Sequence, residues 1–268
     1  ARECRVSEAV QTRRVARWQK ALPWLITIVC FGFLWTRIQG AATRADLDVA
    51  SYMARVLASV RWGPWLALMV PYSLLFLCID TLVIWRVITW FNAPVRLRDV
   101  LPIRASSYIL SIVNEQVGKG AIAVYMNRRH DIPGFEVGSS MLFIMFCEFY
   151  YLLAWALLGW LLSAAALPPI FRAIPVVAAV ALLFFALWCA FFAGRLGVGS
   201  TLRDRSILRA FRLARPAQYL LFMLLRSPAM IAAVVVYTVA ASLFGISVEL
   251  RTMAGYLPVI FFGAAVPG

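Results

Sequence analysis

Charge is scarce in this chain. Only 14% of its 268 residues are Asp, Glu, Lys or Arg, against 63% hydrophobic, and the mean hydropathy is +0.83. Soluble domains carry about 25% charged residues, so an ordinary water-soluble domain is excluded and a multispanning membrane protein is expected. Acidic residues are scarcer still, 12 against 26 Lys and Arg, which leaves a net charge of +14. The basic residues cluster in segments that flank apolar runs, as the positive-inside rule requires, so the excess does not call for a nucleic-acid partner. The one histidine, His130, follows Arg128 and Arg129 in a basic segment and reads as a solvated interfacial residue. Five cysteines, at 4, 30, 78, 147 and 189, show neither metal spacing nor a redox pair, and four sit in apolar runs as small hydrophobes. No nucleophile–base set, metal spacing or phosphate loop is present, so no enzyme activity, metal or cofactor is expected. No cleavable signal peptide is visible. Because the chain starts at Ala1 without an initiator Met and stops at Gly268 within an apparent motif, it is expected to be part of a longer protein.

The apolar runs order the rest. Residues 1–21, with Arg2, Arg5, Arg13, Arg14, Arg17 and Lys20, read as a basic interfacial helix on the cytoplasmic surface, ahead of a membrane domain over 22–268. Full spans are expected over 22–38, 65–91, 137–167, 175–193 and 219–243, and an amphipathic surface helix over 41–61. Residues 92–104, 128–136 and 195–216 read as basic cytoplasmic segments, which puts 40–61, 168–174 and 244–252 outside.

Between two short apolar runs lies a polar, glycine-rich break, Asn114-Glu115-Gln116-Val117-Gly118-Lys119-Gly120. Neither flanking run approaches the roughly 20 residues that a helical span needs. A full crossing here would put the basic segments 92–104 and 128–136 on opposite sides, against the charge rule. A re-entrant hairpin with its tip at 114–120 satisfies it. Non-helical backbone at that depth is tolerated only where it lines a cavity or is buried in protein, so the tip is a candidate site. The other reading is a cytoplasmic loop between short surface helices.

A faint repeat supplies a counterpart. Tyr108-Ile109 precedes Gly120 by the spacing at which Tyr256-Leu257 precedes Gly268, and each copy follows a long span and a short connector, Val95-Arg96-Leu97-Arg98 and Val248-Glu249-Leu250-Arg251. The two copies, about 62–167 and from about 216 to the cut at 268, run in opposite directions. The expected fold is therefore all-α and polytopic, with about five full transmembrane helices and two re-entrant helical hairpins as inverted repeats, the second incomplete. In such transporter plans the site lies between opposed helix tips, whose free N–H groups suit a phosphate or carboxylate. Candidate headgroup-binding residues are Asn114, Glu115, Gly118, Lys119, Gly120, Arg226, Pro267 and Gly268. Asp80, Glu148 and Arg226 each fall roughly 13–17 Å from the cytoplasmic ends of their spans at helical rise, and form a candidate intramembrane charge network. Such a network serves either substrate or helix packing, and the residue pattern leaves both open.

The order of long span, basic connector, Ser107-Tyr108, Asn114, Gly118-Lys119-Gly120, Arg128-Arg129 and a span with an early acid, Glu148, resembles the lysylphosphatidylglycerol synthase transmembrane region, or flippase-like membrane family. The ending Pro258 to Pro267-Gly268 is similar to that family's second glycine- and proline-containing segment. Family members usually carry a Pro before the glycine and an acid after it, where this chain has Val117 and Ala121. The resemblance implies a lipid flippase or transporter of the bacterial inner membrane, multi-pass with a cytoplasmic N-terminus. It implies membrane lipids with anionic or zwitterionic phospholipid headgroups as partners, with a membrane-complex partner or homo-oligomer as further candidates. Two alternatives stand beside it: a non-transporting accessory subunit of a larger membrane complex, and the membrane half of a lipid aminoacyl transferase whose catalytic domain is not in these residues.

Overall fold

The computed structural model describes residues 28, 31–113, 115–164, 167–194 and 203–265, and every regular element among them is helical. The predicted interfacial helix over 1–21 and the start of the predicted first span lie outside the described residues. Residues up to Arg61 belong to one compact unit and Trp62–Val266 form another. In the first unit, α1 (31–44) presents Phe31, Phe33, Leu34 and Trp35 outward. The amphipathic segment predicted over 41–61 contains the shorter helix α2 (Val49–Ser59), which starts where Asp48 caps it. One Asp48 carboxylate oxygen accepts from the Ala50 and Ser51 amides at 3.1 and 3.3 Å. Hydrogen bonding to Ser51 holds this carboxyl below its ordinary pKa.

The second unit holds α3 (Trp62–Phe91), α4 (Leu97–Val113), α5 (Glu115–His130), α6 (Gly134–Ser163), α7 (Ile174–Phe192), the short α8 (Arg209–Leu213), α9 (Pro216–Leu243) and α10 (Leu250–Ala265). Four stretches, Trp62–Phe91, Gly134–Ser163, Pro169–Phe192 and Pro216–Leu243, are long and apolar enough to cross a bilayer. The described residues are thus all-helical in their regular structure, and the four apolar helices are those of a multi-pass membrane protein. The four coincide with the second to fifth spans read from hydropathy. Helix α6 stops at Ser163 instead of 167, ahead of Pro168-Pro169.

Helix α6 is central: half of its most apolar window is buried, compared with 11% for Pro169–Phe192. Helix α3 runs antiparallel to α6 and α9. At one end of the bundle Phe91 packs on Phe143, Phe143 on Tyr219, and the Ser140 hydroxyl donates to Asn92 Oδ1 at 2.6 Å. The same end carries the basic segments, with Arg209 paired to Glu136 and the Ala210 amide donating to Ser139 Oγ at 2.9 Å. At the other end Tyr72 meets Tyr237 edge-on. Helix α7 lies against α6 through Ala178 and Ala181, where Tyr150 donates to the Ala181 carbonyl, and leaves Val176, Val180, Leu183 and Leu187 outward for lipid.

Two features differ from expectation. The basic segment 92–104 is a loop only as far as Arg96; Trp85 Nε1 donates to the Val95 carbonyl at 2.8 Å and α4 begins at Leu97. The glycine-rich stretch is also helical, since α5 starts at Glu115 and carries Gly118, Lys119 and Gly120 in its first turns. Helical backbone satisfies its own amides and carbonyls, which an open loop in an apolar setting leaves unpaired. Helices α4 and α5 pack on one another as a hairpin that leaves α3 and joins α6 at the basic end of the bundle.

Helix α10 enters from the opposite end. Ser163 Oγ donates to the Arg251 carbonyl at 2.8 Å, and Phe262 reaches Phe149 midway along α6. The approach is close because Gly159 has no side chain: a Cβ there would stand 2.2 Å from the Ala254 carbonyl oxygen. Overpacking of this kind costs typically about 1–3 kcal/mol. Gly159→Ala is therefore expected to lower thermal stability in detergent by about that amount, while Gly63→Ala, which meets open space, leaves it near wild type. Equal unfolding temperatures for the two variants would contradict this packing.

Candidate functional site

Four helices each deliver one charged side chain to the interior of the second unit. Asp80 of α3 is 4% exposed and Arg226 of α9 is 8% exposed, and Arg226 Nη1 donates to Asp80 Oδ1 at 2.8 Å. Arg226 Nη2 donates to Glu148 Oε1 on α6. Arg104 of α4, also buried, pairs through Nε with Asp80 Oδ2. The Tyr108 hydroxyl donates to the same oxygen at 2.9 Å. Two carboxylates thus face two guanidiniums.

Local sequence explains how each group arrives. Arg104 and Tyr108 are four apart on α4 and so share a face, with the guanidinium carbon 4.3 Å from the Tyr108 ring centroid. Arg104 Nη1 donates to Ser107 Oγ at 3.2 Å, and Ser107 donates to the Arg104 carbonyl at 2.8 Å. Tyr151, three residues after Glu148, donates to the Arg226 carbonyl at 3.0 Å and fixes the register of α6 against α9. Phe76 and Tyr151 place their rings about 6 Å from the Arg226 guanidinium carbon, at 5.9 and 6.0 Å.

Two cavities meet at this cluster. The larger, about 650 Å³, extends toward the end of the bundle away from the basic segments, and its walls include Tyr72, Phe76, Leu152, Met230, Tyr237 and Phe261. The smaller, about 300 Å³, extends toward the basic end, past Asp80, Ile84, Arg104, Ile122 and Met141. Phe76, Tyr108, Glu148 and Arg226 belong to both walls. Apart from tyrosines, the four cluster residues are the ionisable groups that line these cavities among the described residues. No group of three or more His, Cys, Asp or Glu able to hold a metal occurs among the described residues.

No family model, curated protein or solved structure matches the chain.

The structure brings Asp80, Glu148 and Arg226 together and makes Arg226 the bridge between the two acids. It adds Arg104, missed because 92–104 reads as a basic loop, and Tyr108, which was read only as part of the repeat and of the family resemblance; treating 97–113 as a helix would have put both on one face. Asn114, Pro267 and Gly268 lie outside the described residues, as do the side chains of Glu115 and Lys119. Gly118 is buried within α5 and Gly120 is exposed, with open space where a Cβ would stand.

Breaking a buried ion pair from one side costs about 3–5 kcal/mol because the partner is left charged and unpaired. Asp80→Ala takes the carboxylate from Arg104 and leaves Arg226 with Glu148, and is expected to destabilise the protein by about that amount in detergent unfolding. Adding Arg104→Met to Asp80→Ala is expected to recover part of the loss. A loss below about 1 kcal/mol for Asp80→Ala would place the cluster in water, where ion pairs are weak.

Proposed function

We propose that this protein moves a lipid or lipid-linked amphiphile between bilayer leaflets, the headgroup passing the ion cluster while the acyl chains stay against apolar walls. The observation that carries this reading is the pair of cavities that meet at Phe76, Tyr108, Glu148 and Arg226, beside Asp80 and Arg104. Their apolar and aromatic linings suit a hydrocarbon body, and the polar groups where they meet suit a headgroup. Ionisable residues at membrane depth mark pathways or binding sites by default, since each is costly to keep there.

Three further points support it. The α4–α5 hairpin and α10 approach the middle of α6 from opposite ends, which fits two re-entrant elements in an inverted arrangement. The residue order resembles the flippase-like membrane family. The basic segments gather at one end of the bundle, which by the positive-inside rule supports a cytoplasmic position for that end, in keeping with a bacterial inner-membrane protein. On this reading the larger cavity faces outward and the smaller one inward. The mechanism needs Arg226 to exchange a carboxylate for a headgroup phosphate, because both of its terminal nitrogens already hold acids.

Reconstitution into liposomes with fluorescent phospholipids tests the reading. Protein-containing vesicles are expected to expose the inner-leaflet label to an impermeant quencher, and empty vesicles to protect it. Protection of the inner leaflet across a broad lipid panel, together with stoichiometric co-purification of another membrane protein, would replace this reading with that of an accessory subunit.

A further inference from the structure

One charged side chain inside a span takes no part in the ion cluster. Arg86 belongs to Trp62–Phe91, a stretch long and apolar enough to cross a bilayer, and lies in the last turns of α3. At 1.5 Å per residue it is roughly 7–8 Å short of the helix end. Coming six residues after Asp80, it is turned by about 120° from the cluster. It continues instead the stripe of Leu75, Cys78 and Leu82, the first two of which are exposed. It lines neither of the two cavities.

Among the described residues no carboxylate pairs with Arg86. Its guanidinium carbon stands 5.7 Å from the Trp85 ring centroid and 5.8 Å from that of Trp90. Indole faces attract the cation but accept none of its five N–H donors in the fork geometry that an oxyanion offers. On the outward side of a span near its end, an arginine stem runs along apolar surface and lifts the guanidinium to the headgroup level, where tryptophans also gather. The acceptor at that level is lipid phosphate.

A second cation is brought alongside. The bond from Trp85 Nε1 to the Val95 carbonyl folds the connector back on α3, and the exposed Arg96 comes next in the chain. No carboxylate among the described residues pairs with Arg96 either. A headgroup of net negative charge suits two such cations, whereas the ammonium of a zwitterionic headgroup would stand against one of them.

We propose that Arg86 and Arg96, framed by Trp85 and Trp90, hold an anionic phospholipid of the leaflet at the basic end as a resident lipid, separate from any cargo in the cavities. The phosphodiester sits on Arg86, whose planar fork matches two of its oxygens. The site stands whether or not the protein transports lipid.

The test is thermal stabilisation of the purified protein in a neutral detergent by dioleoylphosphatidylglycerol, dioleoylphosphatidylcholine or inorganic phosphate. The wild type is expected to show an apparent affinity about fivefold or more higher for the anionic lipid than for the zwitterionic one, and no response to phosphate. Arg86→Gln is expected to lose that preference and Arg96→Gln part of it. Arg86→Lys, which keeps the charge without the fork, retains some of it. Arg128→Gln, which removes an exposed charge from the same end, leaves it unchanged. Equal affinity of the wild type for the two lipids overturns the proposal without recourse to any variant, and so does a response to phosphate equal to that to lipid. A preference that survives Arg86→Gln, or that falls as far in Arg128→Gln, overturns it as well. Lipid exchange in vesicles by Arg86→Gln at the wild-type rate would separate this site from the transport path.

Discussion

The bond from Arg226 to Asp80 is the contact on which the interior depends. A guanidinium and a carboxylate taken out of water each lose several kcal/mol of hydration, which is recovered only when geometry is good and the remaining hydrogen-bonding atoms find partners. Here the recovery takes four helices. Helix α9 supplies the central cation, α3 and α6 the two acids, and α4 a second cation with a tyrosine hydroxyl. A shift of any one helix along its neighbours strands a charge. The packing around the cluster is correspondingly specific: the Tyr151 hydroxyl locks α6 to α9, and the missing side chain of Gly159 lets α10 close on α6.

Apolar and aromatic surfaces line both cavities, and the polar groups are gathered where the two meet. Helix α7, which buries little beyond Ala178 and Ala181, takes no part in the cluster and leaves most of its apolar surface outward. The bundle thus separates a lipid-facing periphery from an interior in which polar groups converge from α3, α4, α6 and α9.

Much of this was legible in the sequence because hydropathy and isolated charge are strong signals. Four long apolar runs gave four helices with ends displaced by a few residues, and Asp80, Glu148 and Arg226 stood out as single charges at matching depth. Arg104 was not legible: beside Arg96, Arg98 and Asp99, and after two prolines, it looks like surface, and only the helix that starts at Leu97 turns it toward Asp80. The glycines at 118 and 120 suggested open backbone, yet the cost of unpaired peptide groups keeps 115–120 helical. The level that α10 reaches depends on a contact between distant segments, Gly159 against Ala254, which local pattern does not encode.

The central claim is that the ion cluster divides two cavities that open toward opposite faces. Its most direct test is labelling with a membrane-impermeant maleimide in sealed vesicles, using a protein whose native cysteines have been replaced. Ser73→Cys reports on the larger cavity and Met141→Cys on the smaller. The account predicts that each reacts from one face only and that the faces are opposite. Reaction of both from the same face would contradict it.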